Sequence, residues 1–449
     1  MYESDSKILT GKSLFIIPLS GCDKYLLYAP LADSILLLDK SECERIVVAV
    51  SSPKNADEEA LSIVDALCDV TPVESRDEQI KDERDFINLS ILPNNICNFS
   101  CAYCYSAKGR STQQLSVEKA YSAVDYFISP DRNVSKLLTV SIFGGGEPLL
   151  SWKNVVKPLI DYVYVQAERL SRNVVTTLIT NGSMIPEGFL EICRKYSVDL
   201  VCSFEILEDV QNHQRKHYDI VSSNIRKMID EGVVPAVNSV ITEVNVNRQC
   251  EMIEELHNRY PEIKYVAFEP VIDATIVDKD KFYHQFTKDF FKAVRLAEVY
   301  DIKLTCSALR NVDVTVDRYC PGEFALCADG SLSVCPCVSS PLEPNYSRYV
   351  YGQVDSSGVK INREKLKALL SQNLHSQSWC NDCFAKWNCG GGCTNNTINN
   401  GGKEDSSYCK FVRRFLKYTL LKRLESIYQE EYDINLREII GDYERFITE

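Results

Sequence analysis

Ile96-Cys-Asn-Phe-Ser-Cys-Ala-Tyr-Cys-Tyr105 puts Cys97, Cys101 and Cys104 on one short loop, with three residues in the first gap and two in the second. Three thiolates so close together can hold three corners of a cubane iron–sulfur cluster and leave the fourth iron without a protein ligand. An electron-transfer cluster takes four cysteines, so the vacancy points to a further ligand from outside the protein. A zinc knuckle or three buried structural thiols are the competing readings. Zinc sites take four ligands, commonly in two pairs, and no histidine lies in this loop.

The residues around the loop set its position. Six strand-like runs, at 86–92, 138–143, 174–180, 199–204, 233–240 and 264–270, alternate with helical stretches. Such alternation predicts a parallel sheet with helices outside it. The cysteine loop follows the first run, Gly144-Gly-Gly-Glu-Pro148 follows the second, and Asn181-Gly182 ends the third. In parallel α/β barrels the chemistry gathers at the C-terminal ends of the strands, where all three features fall.

The cysteine spacing, with Tyr103 inside it and Tyr105 behind it, closely resembles the signature of radical S-adenosylmethionine (SAM) enzymes. The resemblance implies a partial (β/α)6 TIM-type barrel. It also implies that the amine and carboxylate of SAM occupy the open iron, and that one electron from the cluster breaks the C–S bond to give a 5′-deoxyadenosyl radical. Gly144, Gly145, Gly146, Glu147 and Pro148 are similar to the family's second motif, which receives the methionyl ammonium. Glycine suits it because the backbone must approach its ligand closely. By the same resemblance Tyr103, Asn181 and Ser203 lie at the cofactor. Relatives carry Ser-x-Asp-Gly where this chain has Ser203-Phe-Glu-Ile206, so the loop shape there is open to question. Arg215 falls where the family often has an arginine for the SAM carboxylate, which a guanidinium grips with two hydrogen bonds.

A second cysteine field lies downstream. Cys380-x2-Cys383-x5-Cys389-x3-Cys393 is preceded by Cys320-x9-Gly330-x4-Cys335 and followed by Cys409. Seven thiols and one glycine resemble the SPASM domain of peptide-modifying radical SAM enzymes, which carries two auxiliary [4Fe–4S] clusters. The resemblance assigns Cys380, Cys383, Cys389 and Cys409 to the distal cluster. It assigns Cys320, Cys335 and Cys393 to the one nearer the barrel. In some relatives the latter's fourth ligand is a cysteine about six residues before Cys320, where this chain has none. Cys306, Cys327 or Cys337 reaches in, or the site is open; Cys306 is the main candidate. An open iron could bind a substrate thiolate.

Composition bounds the remaining classes. The chain has 449 residues, 45% hydrophobic and 25% charged, the balance of a soluble globular protein of two or three domains. No 18-residue apolar run exists, and Met1-Tyr-Glu-Ser-Asp-Ser-Lys lacks a signal-peptide pattern, so a reducing cytoplasm is expected. Nineteen cysteines are then no disulfide framework. A formal net charge of −13 argues against nucleic acid as a partner.

Four segments are expected: 1–82, strands followed by helices; 83–300, the radical SAM core; 301–410, the auxiliary-cluster region; and 411–449, a helical tail. The polar run Glu74 to Arg84 reads as a linker. Peptide maturases often begin with a domain that captures a leader peptide as an added strand, and 1–82 is compatible with that role or with a simple cap. The favoured function is maturation of a ribosomally made precursor peptide through a thioether or other crosslink, with a flavodoxin- or ferredoxin-type electron donor. The alternatives are a sulfatase-maturing, formylglycine-generating enzyme and a peptide epimerase. Sulfatase maturases carry an Asp just after the cysteine matching Cys335, where this chain has Pro336-Cys337. A binding protein with structural clusters is disfavoured by the glycine-rich motif.

Overall fold

A computed structural model describes residues 7–8, 13–69, 71–73, 75, 77, 80–132, 135, 137–272, 276–309, 312–399, 401–402, 406–442 and 444–447. Met1 to Ser6, on which the signal-peptide reading rests, and four residues of the expected linker lie outside them.

The chain begins with a four-stranded antiparallel sheet: β1 (Lys7–Ile8), β2 (Phe15–Leu19), β3 (Lys24–Ala29) and β4 (Ser34–Asp39), paired in that order. Both faces of the central strands are apolar, because both are covered. Ile16, Leu27 and Leu38 meet Ile46, Ala49 and Ala60 of helices Lys40–Ser51 and Glu58–Cys68. Phe15, Ile17, Leu26 and Tyr28 join the core of the main body. Asp39 stops β4 and starts the first helix through a capping box with Glu42.

The main sheet has eleven strands. β5 (Asn88–Ile91), β6 (Leu137–Ile142), β7 (Asn173–Thr180), β8 (Asp199–Ser203), β9 (Ala236–Ile241), β10 (Tyr265–Pro270) and β11 (Lys303–Thr305) run parallel, each beside its predecessor. The six expected strands are β5 to β10, and the fold is the α/β partial barrel. The three residues of β11 are too short to show a period and were hidden in the stretch after 301. On the other edge, β12 (Phe324–Leu326) pairs parallel with β5. β13 (Ser331–Ser333), β14 (Val350–Asp355) and β15 (Gly358–Ile361) then extend the sheet as an antiparallel meander. The cysteine-rich region therefore grows out of the barrel's own sheet.

The polar run read as a linker is anchored in its described residues. Asp77 is 2% exposed and accepts hydrogen bonds from the backbone of Asp317 and Arg318 at 3.0 and 2.8 Å. Glu83 is fully buried and takes Arg363 at 2.8 Å and the Tyr126 hydroxyl at 3.0 Å. Charge in a sequence signals solvent exposure only where no partner waits to bury it.

Helix Ser406–Tyr432, expected from its pattern, packs on helix Lys279–Val299 through stacked aromatics. Phe291 and Tyr418 rings lie 3.7 Å apart, and Phe415 meets Phe286, Phe290 and Phe291. None of the described helices is long and apolar enough to cross a membrane. Phe415→Ala removes a fully buried ring from this seam and is expected to destabilise the chain by about 3–5 kcal/mol, read as a lower denaturant midpoint.

Candidate active site

The cysteine loop and the glycine run are clasped backbone to backbone. Gly146 N–H donates to Asn94 O at 2.8 Å and Glu147 N–H to Ile96 O at 2.7 Å. The Asn94 amide returns two bonds, to Glu147 O at 3.0 Å and Ser151 Oγ at 2.8 Å. A Cβ on Gly146 would lie 1.9 Å from Ile96 O, and one on Gly145 2.6 Å from Asn94 O. Gly144 and Gly145 also have φ of +74° and +61°, where a side chain is strained. The glycines serve this clasp as well as any ligand.

Glu147, 2% exposed, spends its carboxylate on the strand ends. It accepts from Thr180 Oγ1 and Asn181 N–H, both at 2.7 Å, and from Leu149 N–H at 3.1 Å. Burial pushes its pKa up, and those donors oppose the shift. Asn181 donates to Asn98 Oδ1 at 2.9 Å and lies 3.9 Å from Cys97 Sγ. Thus β5, β6 and β7 present their three motifs as one connected surface. Pro148 follows directly, starting a short buried turn.

Cys97, Cys101 and Cys104 line a cavity of about 390 Å³ with Asn95, Ser100 and Arg110. Ala102 N–H bonds Gln214 O at 2.9 Å, tying the loop to the segment that carries Arg215. The Tyr103 hydroxyl sits between Glu205, to which it donates, and Arg215 Nη1 at 2.8 Å. Arg215 is also 3.5 Å from the fully buried Glu205 carboxylate, which takes Ser239 Oγ at 2.7 Å and Val240 N–H at 3.0 Å. Burial raises the Glu205 carboxyl, and the guanidinium opposes it. Ser203 ends β8 nearby. Ile206 has φ of +67°, so it adopts the left-handed conformation a glycine takes freely, at a cost of about 1–3 kcal/mol.

Two buried donors facing this region have no partner among the described residues: Arg215 Nε and Arg110 Nη1. Arg110 Nη2 lies 3.1 Å from Cys104 Sγ. Orphaned cationic donors beside three thiols fit an anionic cluster and a carboxylate-bearing cofactor. Arg110 escaped the sequence reading; its only signal is being a cation six residues after Cys104, behind Lys108.

Downstream, Cys380, Cys383, Cys389 and Cys409 line a single second cavity, with Cys393 on its wall. The Cys389 thiol is pushed up to about 12 by burial and by Cys383 and Cys380 beside it. Crowded thiols resist ionising together unless a metal centre neutralises them. Burial, then Glu323, Cys335 and Cys393, push the Cys320 thiol up, which puts these three cysteines in one neighbourhood. Among the described residues no three His, Cys, Asp or Glu side chains close on a single-ion site. A cubane spreads its thiolates over four irons and asks for wider spacing. Gly390 joins the two groups: a Cβ there would lie 2.2 Å from Arg318 C, and its carbonyl takes Tyr319 N–H at 3.1 Å. Cys306 directly follows β11 and is wholly buried in the barrel core.

Arg215→Ala leaves Glu205 charged and buried without its cation, and is expected to cost about 3–5 kcal/mol in urea unfolding. The double variant Arg215→Ala with Glu205→Gln is expected to recover part of that loss. A double-variant loss equal to the sum of the Arg215→Ala and Glu205→Gln losses would show the pair to be uncoupled.

The sequence model of the radical SAM superfamily matches residues 91–268, which span the end of β5 through β10. Radical SAM cyclopropyl synthase TigE of Paramaledivibacter caminithermalis is 24% identical over 224 residues, 47% of this chain and 40% of that protein. The chain thus spans less than half the length of that relative. GTP 3′,8-cyclase of Helicobacter pylori is 22% identical over 316 residues, 65% of this chain and 89% of that protein. Among solved structures, native anSMEcpe with bound AdoMet and Kp18Cys peptide is similar at a TM-score of 0.60 and 16% identity, covering 76% of this chain and 100% of that one. At that identity the likeness is one of fold. The family match falls on the strands that carry the three-thiol loop and the glycine run, so this part of the chain is similar to the radical SAM superfamily, whose members are enzymes that work with a [4Fe–4S] cluster and SAM.

Proposed function

We propose that this chain matures a ribosomally made precursor peptide, forming a thioether or another crosslink. With its cofactors bound, the site supplies an electron and a 5′-deoxyadenosyl radical that takes a hydrogen atom from the substrate. Cys97, Cys101 and Cys104 hold the catalytic cluster. The Gly144–Pro148 run, Asn181 and Ser203 position SAM. Arg215 Nε and Tyr103 face its carboxylate, and Arg110 offsets the thiolate charge. Cys380, Cys383, Cys389 and Cys409 hold one auxiliary cluster and Cys320, Cys335 and Cys393 a second. The observation that carries this reading is the pair of thiol-lined cavities, one at the strand ends and one in the C-terminal extension. The segments 1–82, 83–300, 301–410 and 411–449 are its working units, with a small electron-transfer protein as donor.

Anaerobic reconstitution is expected to give about twelve irons per chain, as three four-iron clusters require. Cys101→Ala is expected to abolish release of 5′-deoxyadenosine from SAM under strong reductant. Stoichiometric zinc in place of iron, or normal cleavage by the variant, overturns the site assignment.

The N-terminal sheet is proposed to seat the leader peptide against β4, its six-residue edge strand. The sheet shares the main core, so deleting it would expose Phe15, Ile17 and Leu26; a surface substitution is the cleaner probe. Leu36 on β4 is exposed. Leu36→Glu is expected to weaken binding of a cognate precursor peptide while leaving uncoupled SAM cleavage intact. A crosslinked product loses two hydrogens in mass, whereas an epimerised one gains deuterium in heavy water. Conversion of a sulfatase-derived peptide to formylglycine, with no turnover of a precursor, moves the assignment to that activity.

A further inference from the structure

The thiol group Cys320, Cys335 and Cys393 is one ligand short of a closed cluster, and three cysteines compete for the fourth place. Cys306 directly follows β11 and is fully buried in the core that the N-terminal sheet joins, while Cys335, just after β13, packs on the other core. Cys327 is equally buried. Its thiol rests 3.9 Å from Ala325 O, and its backbone closes the β12–β13 hairpin through Ser331 and Gly330, at 2.9 Å each. Neither can leave its place without opening a packed core.

Cys337 differs in each respect. It is exposed, and it stands two residues from Cys335 in the same turn. Cys335-Pro-Cys-Val338 is a tight turn closed by Val338 N–H to Cys335 O at 3.1 Å, with the proline at its second position, where its fixed φ suits the turn. Ser333 Oγ locks the turn from inside. It donates to the carbonyls of Cys335 and Val338 at 2.9 and 3.1 Å and accepts from Cys335 N–H at 3.2 Å. Two thiols on so short and braced a turn are held together before any metal arrives.

Resting on the auxiliary-cluster reading above, we infer that Cys337 is the fourth thiolate of the site formed by Cys320, Cys335 and Cys393. The cluster nearer the barrel is then closed by protein. It has no vacant iron for a substrate thiol, and it serves electron transfer rather than substrate binding.

The test uses the full chain with Cys97, Cys101 and Cys104 replaced by Ala, so that only auxiliary clusters load. That background is expected to bind about eight irons, two four-iron clusters. Its reduced EPR spectrum is expected to be unchanged by added 2-mercaptoethanol. Adding Cys337→Ala should alter the spectrum of one cluster, make it respond to 2-mercaptoethanol, or lower the iron by about four. Cys337→Ser, a weaker oxygen ligand of similar size, should shift the same signal. Cys306→Ala and Cys327→Ala should leave it as it was. A silent Cys337→Ala in a chain holding about eight irons overturns this inference alone, as does a thiol response in the background itself or a shifted spectrum from Cys306→Ala. A background that binds no iron removes the inference together with the auxiliary-cluster reading.

Discussion

The distance between two backbones governs this molecule. Gly146 lies so close to the carbonyl of Ile96 that no side chain fits between them. That approach brings the loop after β5 and the loop after β6 into one surface, with Glu147 then stitched to Thr180 and Asn181 at the end of β7. Three thiols on a loop are only a flexible cluster of donors. Clasped to two neighbouring strands, the same loop opens onto a formed cavity whose remaining walls carry Arg110 and Asn95. Precise placement of donors on rigid elements is what radical chemistry requires, since the reactive species must meet its target before it meets anything else.

The same logic joins the rest of the chain to the barrel. β12 pairs directly with β5, the strand that feeds the cysteine loop, so the C-terminal extension and the three-thiol site share one hydrogen-bonded sheet. Asp77 and Glu83 strap the connecting segment down onto Arg318 and Arg363. Gly390 fixes the loop of Cys389 against the backbone just before Cys320. The N-terminal sheet is held at Tyr28, whose hydroxyl bonds Asn388 at 2.9 Å, and at Ser13, whose hydroxyl takes Trp387 Nε1 at 2.8 Å. Those contacts put the candidate peptide-binding sheet directly against the cysteine field.

The Glu205 loop shows how a sequence departure can leave geometry in place. Glu205 keeps a carboxylate facing Tyr103 and Arg215, and Ile206 holds a glycine-like backbone in spite of its branched side chain. Full burial of Ile206 provides the packing that opposes this strain.

Sequence alone determined the elements with a strong period and the motifs with fixed spacing. The six parallel strands, the helical patterns near 40–50 and 57–68 and the helical tail were legible, because periodicity is a property of neighbouring residues. Tertiary structure decided what depends on residues far apart in the chain. β11 is too short to announce itself, and the run from Glu74 to Arg84 looked solvated because its partners, Arg318 and Arg363, lie more than two hundred residues away. Arg110 is an ordinary surface cation in sequence and becomes part of the site only through its contact with Cys104. The choice among Cys306, Cys327 and Cys337 was open in sequence for the same reason. Spacing shows how far a thiol can travel along the chain, but only packing shows which thiol is free to reach.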